Sequence, residues 1–368
     1  MTQTPSTQAP TTAAPTTVPP TTGADAFAAT RFDQRGPYGV GVTTLSLADR
    51  KVEVFYPADP AATAGAPTDS YRTADVFPEG LRALVPPAMD GTFDVGAVRD
   101  VAATADGPFP IVIYSHGFGG YRQVANFYLA HLASWGFVVA SADHVERSIV
   151  ALATGQLSDA ARGKDLDDVV ATIAALEAEN TRAGGLLEGR VNPESIGITG
   201  HSAGAQTALR AAGSNDRIDA FVSISGGLSL MGEPSPSIPS KPALVVAGEL
   251  DKVVEATKSA ALYEGLGSPK YHVEIAGAGH NSFTDSCPGI LERGGLEALR
   301  SLLGPLVDLA QDGCVGTVTD PLLVQQVLDH YSVAFFLTHL GVRDEAASIT
   351  GNVTGVLGGI SLSTFTHA

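Results

Sequence analysis

A mostly parallel central sheet covered by helices on both faces, an α/β architecture, is predicted by three features of the sequence. Short apolar runs alternate with segments of helical period along most of the chain. The pentapeptide Gly200-His201-Ser202-Ala203-Gly204 stands between one such run and one such helical segment. No stretch of eighteen or more apolar residues occurs, so a membrane-spanning helix is not predicted.

The apolar runs fall at 40–47, 52–56, 111–114, 137–142, 196–199, 218–224, 243–247 and 272–276. Each is too short for a helix and most are bounded by Gly, Pro or Asp, which marks strands. The first two follow one another without a helix between them and are expected to pair antiparallel. Helical stripes follow: Val124, Phe127, Tyr128, Leu132 and Trp135, stopped by Gly136; Leu166, Val169, Val170, Ile173 and Leu176; and Val324, Val327, Leu328, Tyr331 and Phe335, closed by Gly341. Asp165, Asp167 and Asp168 are expected to complement the dipole at the start of the second stripe. Strands alternating with amphipathic helices need crossover connections, hence parallel pairing.

Two stretches break this rhythm, about 61–109 and 288–320, and are expected as irregular insertions near the end of the sheet where ligands bind. Residues 1–24 are nearly all Thr, Pro, Ala, Gln and Ser, a composition that cannot bury apolar surface and predicts a disordered tether. The catalytic-type domain is expected to span 25–345, with 346–368 as a C-terminal tail. Met1 is followed by neither a basic region nor an apolar core, so no secretory signal is read in this sequence.

The chain has 368 residues, 44% of them apolar, enough for a sizeable core. Its formal charge of −17 opposes binding to nucleic-acid phosphates or anionic lipid. Two cysteines occur, Cys287 and Cys314; a bridge between them would stabilise by about 3–4 kcal/mol in an oxidising compartment, and two buried thiols is the alternative. Neither has metal-ligand spacing to another Cys or His, and no metal site is expected. With the tether, the cysteines favour an extracellular or envelope-tethered monomer.

The pentapeptide carries the chemistry. A strand that turns at once into a helix strains the turning residue, and only small neighbours avoid collision, so Gly200 and Gly204 suit Ser202 as an exposed nucleophile. A serine hydroxyl needs a base, and His280, within Ala278-Gly279-His280-Asn281 after the last apolar run, is one of nine histidines but alone has both the position and the small neighbours. The base needs a carboxylate to orient it; Asp251, in Gly248-Glu249-Leu250-Asp251, is preferred over Glu249, and Asp285 follows His280 too closely. Backbone amides of Ala203 and of Phe118, in Ser115-His116-Gly117-Phe118-Gly119-Gly120, are expected to hold an oxyanion. That Gly-rich turn lacks the Lys and spacing of a phosphate loop. Gly117, Gly119, Tyr121, His201 and Phe283 flank these groups and are expected to contact substrate.

The stretches Ser115–Gly119 and Leu132–Val139, Asp143-His144 with Arg147-Ser148, and Gly200-His201-Ser202 resemble the plasma-type platelet-activating-factor acetylhydrolases. Their order, with Tyr331-Ser332-Val333-Ala334, is also similar to the actinobacterial cutinases and polyester hydrolases. The resemblance, over about 110–341, implies an α/β-hydrolase fold and a Ca²⁺-independent serine esterase without a cofactor. In the acetylhydrolases the acid follows the strand after the nucleophile helix, where this chain has Ser225-Gly226-Gly227; Asp251 is the position that matches the cutinases. The cutinases' clamp for aromatic polyester units is matched here at Phe118 alone, since Ala203 and Gly226 replace its Met and Trp. Short to medium acyl esters are the expected substrates, with polyesters included in the range. An amide or peptide hydrolase and a non-catalytic envelope-tethered binding module are the rivals.

Overall fold

The computed structural model describes residues 16–17, 27–87, 90–158, 161–229, 236–292 and 294–368. Nine strands build the body of the sheet: β1 (Gly39–Leu47), β2 (Arg50–Ala58), β3 (Phe109–Ser115), β4 (Val138–Ala142), β5 (Val191–His201), β6 (Ala220–Ile224), β7 (Ala243–Gly248), β8 (Lys270–Ile275) and β9 (Leu362–His367). Their spatial order is β9-β8-β7-β6-β5-β3-β4-β2-β1, with short edge pairings by Thr16–Thr17 at β9 and Val98–Arg99 at β1. The six strands from β4 to β8 are parallel neighbours, and β1 and β2 form the antiparallel pair that their direct succession predicts. All eight predicted runs are strands, so this is the α/β-hydrolase architecture expected from the sequence.

Both faces of the parallel strands are apolar because both are covered. In β3, Val112 and Tyr114 face one cluster while Ile111 and Ile113 face the other. Helices α1 (Asn126–Ser134) and α5 (Pro321–His339) supply Tyr128, Leu132, Val327, Leu328 and Phe335 to the first. Helices α2 (Ala161–Thr181), α3 (Ala203–Ser214) and α4 (Ala256–Gly265) cover the second through Val169, Ile173, Leu209 and Leu262. Gly136 and Gly341, read as helix stops, do have left-handed backbones, with φ of 99° and 70°. Val170, read as part of the apolar stripe of α2, is exposed instead. Among the described residues no helix is long and apolar enough to cross a membrane.

The C-terminal segment 346–368 is not a tail. Two short helices, Ala346–Thr350 and Thr354–Leu357, lead into β9, which pairs antiparallel with β8 and buries Leu362 and Phe365. His367 is therefore a strand residue. Of the expected tether, Thr16–Thr17 pair with the end of β9, and the rest lies outside the described residues. The insertion 61–109 forms a small two-stranded sheet, Ser70–Arg72 with Thr92–Asp94. Cys287 and Cys314 are joined in a disulfide, with Cα atoms 4.7 Å apart.

Burial in this fold keeps histidines neutral. Burial first, and nearby cations next, push His116 and His131 down to about 3, and burial with the adjacent His280 does the same to His201. Burial takes His272 and His330 to about 4 and His144 well below its usual value. A depressed folded pKa stabilises above the unfolded value, about 6.5, and that stability is lost as pH falls toward the folded values. Burial acts oppositely on Asp168, raised to about 6, Asp285, raised to about 7, and Asp329, raised well above the carboxylate range. Burial lowers His339 as well, so seven histidines against three carboxyls set the sign. The melting temperature is expected to fall steadily from about pH 6.5 to about pH 4; thermal denaturation showing a flat or rising trend there would contradict this.

Candidate active site

Strand β5 passes directly into α3, and the residue at the junction, Ser202, has φ 57° and ψ −119°, a conformation that disfavours any residue with a Cβ. The packing around it leaves no alternative. A Cβ on Gly200 would overlap the Gly204 carbonyl, and one on Gly204 would overlap the Ser115 carbonyl. The Ser202 amide donates to Ile224 O at 2.9 Å, anchoring the turn to β6. Ala203 is the first residue of α3, so its amide is one of the helix N–H groups without an intrahelical acceptor.

The loops after β7 and β8 emerge side by side and bring Asp251 and His280 together. His280 Nδ1 lies 2.8 Å from Asp251 Oδ2, with both residues buried. Asp251 Oδ1 also accepts from the amides of Val253 (2.9 Å) and Val254 (2.7 Å). Burial opposes ionisation of Asp251, but the hydrogen bond and charge of His280 and those two amides outweigh it, holding the carboxyl below its ordinary value. Leu250 N donates to Ala278 O at 2.8 Å and binds the two loops together. Among the described residues no hydrogen bond joins Ser202 Oγ to His280. The link between them runs through the adjacent His201, whose Nε2 donates to His280 O at 2.8 Å and whose ring lies 4.6 Å from that of His280.

The two weaker acid candidates have other partners. Glu249 is exposed and accepts from Gly277 N at 2.9 Å. Asp285 takes the amides of Asn126 and Phe127 at the start of α1, where it caps the helix.

The glycine-rich loop after β3 is held by a buried polar cluster that the sequence reading did not resolve. Arg147 Nη2 donates to Ser115 Oγ and to His116 O, both at 2.8 Å, and the Arg147 carbonyl accepts from Gly119 N at 2.8 Å. Its Nη1 donates to Asp165 Oδ2 at 2.7 Å, and the same oxygen accepts from Thr207 Oγ1 and Arg210 Nη2 at 2.6 Å each. One guanidinium and one carboxylate thus tie the loop to α3. Asp165 and Asp168 therefore serve this cluster rather than the helix dipole. Ser115, His144 and Asp168 have relay spacing, at 2.8 Å for each step, yet Ser115 is fully buried and already accepts from Arg147, so it is a brace. The motifs Ser115–Gly119 and Asp143-His144…Arg147 carried the sequence signal for this cluster.

Within the loop, Gly117 packs so closely that an added Cβ would lie 3.2 Å from His201 O and 3.3 Å from Ser202 Cβ, and Gly119 has φ 70°. Phe118, 46% exposed, projects into solvent. Gly117 thus lies against the Ser202 turn, and Gly119 bends the loop beside it. Tyr121, His201 and Phe283, expected to contact substrate, are buried. Tyr121 is buried with its hydroxyl 3.1 Å from that of Tyr71, His201 is buried as the brace just described, and Phe283 is 1% exposed in the core beneath.

Sheet order, strained junction and paired loops together define a protein of the α/β-hydrolase fold, and comparisons with known proteins narrow the class. Residues 32–184 match the family described as platelet-activating factor acetylhydrolase, isoform II. A platelet-activating factor acetylhydrolase of Cavia porcellus is 20% identical over 294 residues, which span 68% of this chain and 67% of that protein. A bis(hydroxyethyl) terephthalate hydrolase of Streptomyces coelicolor (strain ATCC BAA-471 / A3(2) / M145) is 28% identical over 195 residues, 52% of this chain and 56% of that one. The solved structure of a ferulic acid esterase from Streptomyces cinnamoneus covers 92% of this chain and 98% of its own at a TM-score of 0.62 and 22% identity, a likeness in fold. The likeness to that structure gives the α/β-hydrolase fold, and the named relatives are all ester hydrolases.

Proposed function

We propose that the chain hydrolyses carboxylic esters through an acyl-enzyme on Ser202. His280 takes the Ser202 proton as Oγ attacks the ester carbonyl, and the resulting oxyanion is held by the Phe118 and Ala203 amides. The same proton passes from His280 to the leaving alcohol as the C–O bond breaks. Water, deprotonated by His280, then attacks the acyl-enzyme, and His280 returns that proton to Ser202 Oγ as the acyl–Oγ bond breaks and the acid leaves. Asp251 holds the imidazole with its Nδ1 proton toward the carboxylate and stabilises the imidazolium formed in each half-reaction.

The observation that carries this reading is the pairing of a strained Ser202 at the β5–α3 junction with the 2.8 Å His280–Asp251 hydrogen bond on the neighbouring loops. The relatives' names supply acetyl, terephthaloyl and feruloyl esters as the acyl classes to consider. Phe118 beside the oxyanion position offers an exposed ring face to an aromatic acyl group, which favours aromatic esters within that range. The disulfide favours an oxidising, extracellular setting. An amidase would use the same relay, so matched p-nitrophenyl esters and p-nitroanilides, with bis(hydroxyethyl) terephthalate alongside, make the test. Turnover of the esters and the terephthalate diester with little anilide cleavage is expected; anilides cleaved as fast as esters would refute the ester reading.

A further inference from the structure

The insertion 288–320 ends in a segment that seats on the backbone of both catalytic loops. Asp312, buried, places one carboxylate oxygen, Oδ2, 2.9 Å from the amide nitrogen of His280 and 3.1 Å from that of Lys252, the residue after Asp251. Its own carbonyl accepts from Asn281 N at 2.9 Å. The neighbouring Gly313, with φ 81°, lies so close to Gly279 that a Cβ on either residue would fall 2.5–2.7 Å from the other's backbone. Ser282 Oγ donates to Gly313 O at 3.0 Å. Asn281 Nδ2 donates to Leu309 O at 2.7 Å, and the disulfide holds Cys314, two residues beyond Asp312, to Cys287.

We infer that Asp312 is a positioning residue for the reaction: its single oxygen, shared by the amides of His280 and Lys252, sets the distance between the base loop and the acid loop and so the placement of the His280 ring. The inference rests on the triad reading above. Besides the His280–Asp251 hydrogen bond itself, the direct contacts between the two loops, Leu250 N to Ala278 O, Glu249 N to Ile275 O and Gly277 N to Glu249 Oε2, lie at their strand-proximal ends. Asp312 binds the distal ends, where the catalytic side chains leave the backbone. A charged acceptor makes each N–H···O bond stronger than a neutral one would, and displacement of a reacting group by about 1 Å can cost on the order of 10²-fold in rate. The carboxylate approaches from the insertion, through backbone amides, so its loss should alter rate more than substrate affinity.

The test compares Asp312→Ala and Asp312→Asn with the parent chain, using kcat and KM for a p-nitrophenyl ester and the rate at which an organophosphonate labels Ser202, each normalised to titrated active sites. Asp312→Ser, whose hydroxyl stops a bond short of the two amides, is measured alongside and replaces the alanine variant if that does not fold. Expected is a fall in kcat of about 10–100-fold in the alanine and serine variants, with KM little changed and labelling slowed in parallel. Asparagine, which keeps an acceptor oxygen in place, should restore most of the rate. Alanine and serine variants that match the parent per active site, even with a lowered melting temperature, would overturn the inference and leave the triad standing. A parent chain that the phosphonate does not label at Ser202 would overturn both.

Discussion

Ser202→Ala is expected to reduce hydrolysis of a chromogenic short-chain ester by about 10⁴–10⁶-fold, the range seen when a nucleophile acting as part of a relay is removed. The protein should remain folded. Ser202 makes no side-chain cap to α3, and its amide bond to Ile224 O is independent of the side chain. Alanine inherits the same positive-φ strain without adding to it, since both residues carry a Cβ. Turnover near the parent level in a folded, correctly melting variant would remove Ser202 from the chemistry.

Asp251→Asn is expected to lower kcat by about 10⁴-fold with the fold retained. Asparagine can still present an oxygen to the Val253 and Val254 amides, which Asp251 Oδ1 now accepts. Its amide NH₂ would then face His280 Nδ1, where Asp251 Oδ2 now stands at 2.8 Å. A donor there forces the imidazole proton onto Nε2, so the ring would point a proton at Ser202 when it must accept one. The carboxylate that stabilises the imidazolium would also be gone. A variant retaining a tenth or more of the parent kcat would show that the base is oriented by another group.

The parts of this molecule that were legible in its sequence are those written in consecutive residues. Six of the eight apolar runs became parallel strands, which are apolar throughout because both of their faces are covered, and Gly200 and Gly204 announced a turn that tolerates nothing larger. What was not legible depends on contacts between distant residues. Asp312 acts on amides 32 and 60 positions away, and nothing in its local sequence distinguishes it from a surface carboxylate. Arg147, Asp165 and Thr207 come from three separate elements and meet only after folding. Strand β9 hid in Ser361-Leu362-Ser363-Thr364-Phe365-Thr366, where two apolar residues among hydroxyls look like a tail; an edge strand paired on β8 needs no more than the two it buries, Leu362 and Phe365. Tyr121, His201 and Phe283 lie near the loops in sequence, but proximity along the chain does not say which side of a loop a ring takes.

The central claim is that Ser202 is the group that becomes acylated, and covalent capture tests it most directly. The folded chain is treated with an activated organophosphonate ester, residual ester hydrolysis is followed, and the modified peptide is located by mass spectrometry. A single adduct on Ser202 that rises in step with the loss of activity is predicted. Full loss of activity with the adduct elsewhere, or undiminished activity after Ser202 is fully modified, would contradict the account.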